Sequence, residues 1–142
     1  MSLVVFLKQR CETCKLVAPV LKTFLEKGSA EILCQDGPSF FQGLEVSEDI
    51  GLRRSWEAKI ETVPTIIRLD KGGKEVTRIE GWNSDEWAEF LQIEIPETLV
   101  RYKPGCGSDT LAPGMHEKLA AKYGDLAIKS RTILIAEQED DI

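Results

Sequence analysis

The stretch "LVVFLKQRCETCKLVAPVLKTFL" (residues 3–25) decides the fold of this 142-residue chain. It opens with an apolar run rich in β-branched side chains, which predicts a buried strand. Apolar residues then recur at helical spacing as far as Gly28, which predicts an amphipathic helix. Two cysteines, Cys11 and Cys14, stand where the predicted strand passes into the helix.

The cysteine pair has three conceivable uses: a metal site, a structural link or reversible exchange chemistry. A structural zinc site needs about four ligands, and the further candidates lack the usual ligand spacing: Cys34, Cys106 and His116. A permanent disulfide between residues this close in sequence encloses almost no loop and stabilises little. We therefore expect no metal and predict thiol–disulfide exchange.

The start of the helix favours a reactive thiolate at Cys11. Unpaired backbone N–H groups and the positive end of the helix dipole lie there. Positive charge close in sequence comes from Lys8, Arg10 and Lys15. We predict that Cys11 is the more exposed cysteine and attacks the substrate, and that Cys14, one turn further, resolves the mixed disulfide.

The remaining pattern predicts an α/β domain over residues 1–94. Strands are expected over 30–34, 65–69 and 75–79, and helices over about 48–58, capped by Ser47, and from Asn83 or Ser84 onward. With the first strand and helix, the order is β-α-β-α-β-β-α, a four-stranded mixed sheet flanked by helices.

Three features beside the cysteines carry a family resemblance: Pro19, "TVPT" (62–65) and "KGGKEVTRIEGW" (71–82). Over residues 3–93 the chain resembles the thioredoxin/glutaredoxin superfamily. The resemblance implies a thioredoxin-like fold, a cis Val63–Pro64 bond facing the cysteines, and a Val63 backbone that pairs with an extended substrate strand. It also implies a thiol-disulfide oxidoreductase that acts on disulfides of protein substrates.

Some positions resemble glutaredoxin more than thioredoxin. Val5 stands where thioredoxins carry a buried acid, and Lys8 matches a glutaredoxin lysine. We predict substrate contacts at Val63, Pro64, Lys8 and Trp82. The alternative is a glutathione-dependent enzyme, whose contacts would be Lys8, Val63, Ser84 and Asp85, although Trp82 replaces a glycine of the glutathione-binding segment.

A C-terminal extension, residues 95–142, follows the domain. Its segment 96–114 contains three prolines and three glycines and is expected to be extended and rich in turns. A helix over about 115–123 and a strand over 128–136 follow. We predict that this strand adds to a sheet edge, within the subunit or across a homodimer. A third possibility is therefore a thioredoxin-like binding or assembly module, with the extension packing on the core or mediating dimerisation.

The sequence leaves the roles of two residues of the extension undecided. Glycines flank Cys106 in "PGCGS" (104–108), which is interpreted as a turn, with a third redox cysteine as the alternative. His116 is expected at the surface.

Composition limits the function classes. The net charge of −6 and the pI of about 4.9 disfavour a nucleic-acid binder. No apolar run approaches the roughly 20 residues of a membrane span, and the N-terminal stretch does not resemble a secretory signal. We expect a cytoplasmic electron-transport protein that needs a thiol or reductase donor. We expect no cofactor beyond a redox-active Cys11–Cys14 disulfide, or glutathione under the alternative.

Overall fold

The computed structural model of the protein describes residues 2–37, 41 and 43–123. Its helices are α1 (Glu12–Leu25), α2 (Arg53–Glu57) and α3 (Ser84–Leu91), and residues 115–123 are also helical. Its strands are β1 (Ser2–Leu7), β2 (Glu31–Cys34), β3 (Ser47–Glu48), β4 (Thr62–Val63), β5 (Thr65–Leu69), β6 (Glu75–Glu80), β7 (Trp82–Asn83), β8 (Tyr102–Lys103) and β9 (Cys106–Gly107).

The central sheet is mixed and has the strand order β3-β2-β1-β5-β6. Strand β1 is parallel to β2 and antiparallel to β5, and β6 returns antiparallel to β5. The sequence predicted four strands, whereas the described residues form five in this sheet. The additional strand β3 pairs with Leu33 and Cys34 of β2 and forms that edge of the sheet.

The helix predicted over 48–58 is shorter than expected. Residues Ile50–Leu52 form a 3-10 turn, and α2 begins only at Arg53. Gly51 and Leu52 have positive φ angles of 65° and 59°, which an α-helix does not accommodate. The carboxylate of Asp49 accepts the backbone N–H groups of Arg54 and Ser55 at 2.9 and 2.8 Å. Asp49, rather than Ser47, therefore caps this helix.

Helix α1 packs its apolar face on the sheet and fixes the position of the cysteine pair. Val17 and Leu21 of α1 are fully buried, as are Val5 and Leu7 of β1. Strand β1 ends at Leu7, four residues before Cys11, so the sheet and the helix together hold the start of α1 in place. The loop with Cys11 therefore lies on a rigid base.

Residues 95–123 lie against the first 94 residues. Strand β8 pairs with β7, and β9 pairs with β4, both antiparallel. Further along, Leu119 packs with Leu52 and Trp56 in a second apolar cluster. The predicted strand over 128–136 lies outside the described residues. In the described part of the chain, no helix has the length and apolar character needed to cross a membrane.

Candidate redox site

Cys11 is the N-cap residue of α1. Its backbone is extended (φ −133°, ψ 113°), and its sulfur accepts the N–H of Cys14 at 3.3 Å. In the thiol form it donates to the carbonyl oxygen of Val63, 3.6 Å away. The sulfur thus takes the place of the side-chain oxygen that usually caps a helix, and it faces the loop that carries Pro64.

The pKa of Cys11 is lowered to about 5. The largest cause is a hydrogen bond from the Cys14 thiol, and further lowering comes from the Cys106 thiol and from the backbone N–H groups of Cys14 and Thr13, against the opposing effect of burial. Each of these donors stabilises the thiolate. A substantial thiolate fraction at neutral pH follows, as a nucleophilic cysteine requires.

The nearby cations are not among the main causes of the lowered Cys11 pKa, which are hydrogen bonds. Each of the three cations lies against an acidic side chain: Lys8 against Asp109, Arg10 against Asp36 and Asp109, and Lys15 against Glu12. Sequence proximity could not show that Lys8 and Arg10 pair with Asp109, which lies far along the chain.

Cys14 lies one turn into α1 and is fully buried. Burial is the main cause that raises its pKa far above the usual range, and the hydrogen bond to Cys11 is the next. The expectation that Cys11 is the more exposed of the two is wrong, because both have 0% exposed surface. What distinguishes the pair is the pKa, low at Cys11 and high at Cys14.

The Val63–Pro64 peptide bond is cis. The backbone of β4, just before Pro64, was expected to pair with a substrate strand. In the structure it pairs with β9 of the same chain, in the register Thr62↔Gly107 and Val63↔Cys106. Residues 102–110, which we call the covering segment, therefore fill the groove over the cysteine pair.

Three polar contacts hold the covering segment to the CxxC loop. The Thr13 hydroxyl donates to the carbonyl of Pro104 at 2.6 Å, and the Lys8 ammonium donates to the carbonyl of Gly107 at 2.6 Å. The guanidinium of Arg10 reaches both carboxylate oxygens of Asp109 at 2.9 Å. Lys8, a predicted substrate contact, is therefore engaged by the chain itself.

A buried amide fixes the far end of the covering segment. The side chain of Gln35 donates to the hydroxyls of Ser55 and Ser108 at 2.9 and 2.7 Å. Its carbonyl oxygen accepts the backbone N–H of Asp109 at 2.9 Å. The sequence analysis did not single out Gln35, because an amide at the end of a strand has no distinctive pattern.

The position of Cys106 differs most from the sequence-based prediction. We favoured a simple turn, but it is part of β9 and lies opposite Val63. Its thiol contributes to the lowered pKa of Cys11, and Cys11 in turn raises the pKa of Cys106, after burial as the largest cause. The glycines on both sides of Cys106 were the sequence feature that could have indicated a close backbone approach at this position. A Cβ atom on Gly105 would lie 2.6 Å from the Val63 carbonyl oxygen, so only glycine permits this approach.

The predicted contact residue Trp82 lies inside the protein. It is 1% exposed, stacks at an angle against Trp87 with ring centroids 5.6 Å apart, and donates to the carbonyl of Val100 at 2.6 Å. Asp85 and Ser84, the alternative glutathione contacts, are also engaged: Asp85 pairs with Arg101, whose carbonyl accepts the Ser84 N–H. Residues 100–101 thus form hydrogen bonds with Trp82, Ser84 and Asp85.

The other candidate ligands lie apart from this site. Cys34 is buried, donates to Asp36 at 3.3 Å, and has its pKa raised to about 12 by burial. His116 packs edge-on against Trp56 at 5.2 Å. Within the residues that the structure describes, no group of three or more ligating side chains has the geometry of a metal site.

The fold is thioredoxin-like, and a CxxC pair stands at the start of helix α1. No family model matches the chain. Thioredoxin-2 of Saccharomyces cerevisiae is 36% identical over 73 residues, which are 51% of this chain and 60% of that protein. The chain thus spans less than two thirds of this relative.

Solved structures resemble the same part of the molecule. StoA of Bacillus subtilis superposes with a TM-score of 0.50 and 17% identity over 64% of this chain and 81% of its own, which shows the fold. Thioredoxin 1 of Thermosipho africanus superposes with a TM-score of 0.45 and 25% identity over 65% of this chain and 88% of its own.

Proposed function

We propose that the protein is a thiol-disulfide oxidoreductase that reduces or exchanges disulfides of protein substrates. One observation carries the proposal: Cys11 caps α1 with a pKa lowered to about 5, hydrogen-bonded by a second cysteine one turn away. A low-pKa thiolate beside a protonated thiol is the arrangement that disulfide exchange needs, since one sulfur attacks and the other resolves. The yeast relative supports the same general class.

The first step is attack by the Cys11 thiolate on one sulfur of a substrate disulfide. A bond forms between the Cys11 sulfur and that sulfur, and the other substrate sulfur leaves as a thiolate that takes up a proton. The hydrogen bonds from Cys14 and from the start of α1 hold Cys11 ready for this attack. The product of this step is a mixed disulfide.

The second step is attack by Cys14 on the Cys11 sulfur. The hydrogen bond to Cys11 and its charge both raise the pKa of Cys14, after burial as the largest cause. Both contributions end when Cys11 becomes part of a mixed disulfide, so Cys14 becomes easier to deprotonate. Its attack releases the second substrate thiolate and leaves a Cys11–Cys14 disulfide. Two electrons have passed to the substrate, and an external thiol or reductase donor restores the pair.

The substrate site is the backbone edge at Val63, where a substrate strand would take the place of β9. The covering segment therefore leaves the groove when a protein substrate binds. The glutathione alternative has less support, because its contacts at Lys8, Ser84 and Asp85 are bound by the extension. We place the activity in a reducing, cytoplasmic setting, without a metal or an organic cofactor, as a step in electron transport.

A redox titration with trapping tests this function. The protein is equilibrated in mixtures of reduced and oxidised glutathione, and its disulfides are identified by peptide mass mapping. Reversible formation of Cys11–Cys14, together with C14S/C106S protein that accumulates a mixed disulfide with a disulfide-containing protein, supports the proposal. Cys34→Ser is the matched control and should behave as the parent protein. A Cys11–Cys14 pair that never forms a disulfide would favour the binding or assembly module.

A further inference from the structure

Cys106 lies opposite the residue that accepts the hydrogen bond of Cys11. Strand β9 pairs with β4 so that Cys106 stands opposite Val63, and the Val63 carbonyl oxygen is 3.6 Å from the Cys11 sulfur. Two cysteines from distant parts of the chain thus both neighbour Val63.

We propose that Cys106 is a third redox cysteine, which exchanges with the Cys11–Cys14 disulfide to form a Cys11–Cys106 disulfide. The Cys106 thiolate attacks the Cys11 sulfur, the Cys11–Cys14 bond breaks, and Cys14 leaves as a thiolate. The proton that Cys106 loses is balanced by the proton that Cys14 gains. No electrons enter or leave the protein, so the step needs no further oxidant.

The position of Cys106 distinguishes it from the fourth cysteine. Cys34 is fully buried in the sheet and its thiol donates to Asp36. Cys106 is half-buried and pairs with Val63, whose carbonyl oxygen is 3.6 Å from the Cys11 sulfur. Exchange requires direct approach of the attacking sulfur to the disulfide, and of these two thiols only Cys106 has it.

The contacts of the covering segment keep this thiol in place without a covalent bond. Thr13, Lys8 and Arg10, which surround the CxxC pair in sequence, bind Pro104, Gly107 and Asp109 on both sides of Cys106. The covering segment is therefore already ordered before the exchange, and this raises the effective concentration of the Cys106 thiol near Cys11. A Cys11–Cys106 disulfide would tie the covering segment over the groove and leave Cys14 as a thiol.

The inference rests on the proposed function for its starting disulfide, and the test separates the two. The full chain carrying Cys14→Ser is treated with oxidised glutathione, and its disulfides are mapped by mass spectrometry. Cys11 first forms a mixed disulfide with glutathione. We expect Cys106 then to displace the glutathione, so that the product is a monomer with a Cys11–Cys106 disulfide. In the double variant C14S/C106S, glutathione should remain on Cys11.

Two outcomes would overturn the inference. One is a Cys14→Ser protein that keeps glutathione on Cys11 as long as the double variant does. The other is a disulfide from Cys11 to Cys34 or to a second chain. If the parent protein forms Cys11–Cys14 in the same experiment, the proposed function stands although Cys106 has no part in it. If the parent protein forms no Cys11–Cys14 disulfide, the proposed function is wrong, whatever the result for Cys106.

A pair of glycine variants tests whether position controls the exchange. In the Cys14→Ser background, Gly105→Ala places a Cβ atom against the Val63 carbonyl oxygen and Thr62, whereas Gly107→Ala meets nothing within 4 Å. We expect Gly105→Ala to slow the loss of glutathione from Cys11 and Gly107→Ala to leave the rate unchanged. Equal rates in the two variants would show that Cys106 does not act from the groove.

Discussion

The backbone of Gly105 lies against the carbonyl of Val63, so closely that a Cβ atom on Gly105 would stand 2.6 Å from that oxygen and 2.4 Å from a methyl group of Thr62. Neither contact can relax by moving a long flexible side chain. The close approach allows β9 to pair with β4 beside the cis-proline loop. The backbone hydrogen-bonding edge of β4 is therefore occupied by a strand of the same chain.

Gly105→Ala should destabilise the covering segment and expose Cys11. Insertion of a methyl group into a packed contact costs about 1–3 kcal/mol, which corresponds to an increase of between about fivefold and about 150-fold in the open population. The rate at which iodoacetamide modifies Cys11 should rise accordingly. Gly107→Ala, whose Cβ has open space, is the control. Unchanged modification in Gly105→Ala would contradict the tight contact.

Removal of the thiol donors should raise the pKa of Cys11. The hydrogen bond from Cys14 is the largest cause of its lowering and that from Cys106 is a smaller one. Cys14→Ala should therefore raise the pKa more than Cys106→Ala does, since alanine donates no hydrogen bond. The ultraviolet absorbance of the thiolate, followed against pH in the reduced proteins, measures this. The reverse order, or no change in either variant, would refute the hydrogen-bond explanation.

The stability of the reduced protein should increase with pH above about 5. Cys11 titrates at about 5 in the folded protein, whereas an unfolded cysteine titrates at about 8.5. Between these values the unfolded chain binds a proton that the folded protein does not, so the free energy of unfolding rises with pH. This contribution is complete above pH ~8.5 and is lost as the pH falls through about 5.

Urea unfolding of the reduced protein across this range measures the effect, with Cys11→Ser as the control that should lack the increase. Above pH ~8.5 the sign reverses, because Cys14 and Cys34 have raised pKa values and deprotonate more easily in the unfolded chain. A parent protein and a Cys11→Ser variant with parallel pH profiles between 5 and 8 would contradict the lowered pKa of Cys11.

Gln35→Leu should lower the free energy of unfolding by about 1–3 kcal/mol, since it removes the acceptor of one part-buried N–H and one of the partners of two buried hydroxyls. The groups concerned are the hydroxyls of Ser55 and Ser108 and the backbone N–H of Asp109. Urea denaturation measures the loss. Lys71→Ala, in an exposed turn, should change stability little. A Gln35→Leu protein as stable as the parent would show that the amide does not anchor the covering segment.

Much of the fold was predictable from local patterns. The apolar run before Cys11 and the helical spacing after it identified β1 and α1, and residues 65–69 form β5 as predicted. These elements have strong periodicity of their own. The short strand β3 had no such signal, because two residues are too few to show alternation, and the positive φ of Leu52 is invisible in a sequence.

The cysteine pair was predictable from its position, but its environment was not. A turn-rich segment with three glycines has no preferred partner that local sequence could reveal. Its place over Cys11 depends on contacts such as Thr13 to Pro104, which are 91 residues apart. The burial of Cys11 and the pairing of the nearby cations with acids, chiefly of Lys8 and Arg10 with Asp109, follow from that placement.

The same separation has a consequence for biosynthesis. A ribosome makes the CxxC loop early and the covering segment much later, since Arg10 and its partner Asp109 are 99 residues apart. Contacts between such distant residues form late in folding. The nascent chain therefore carries an unshielded cysteine pair until the covering segment has been made and has folded over it.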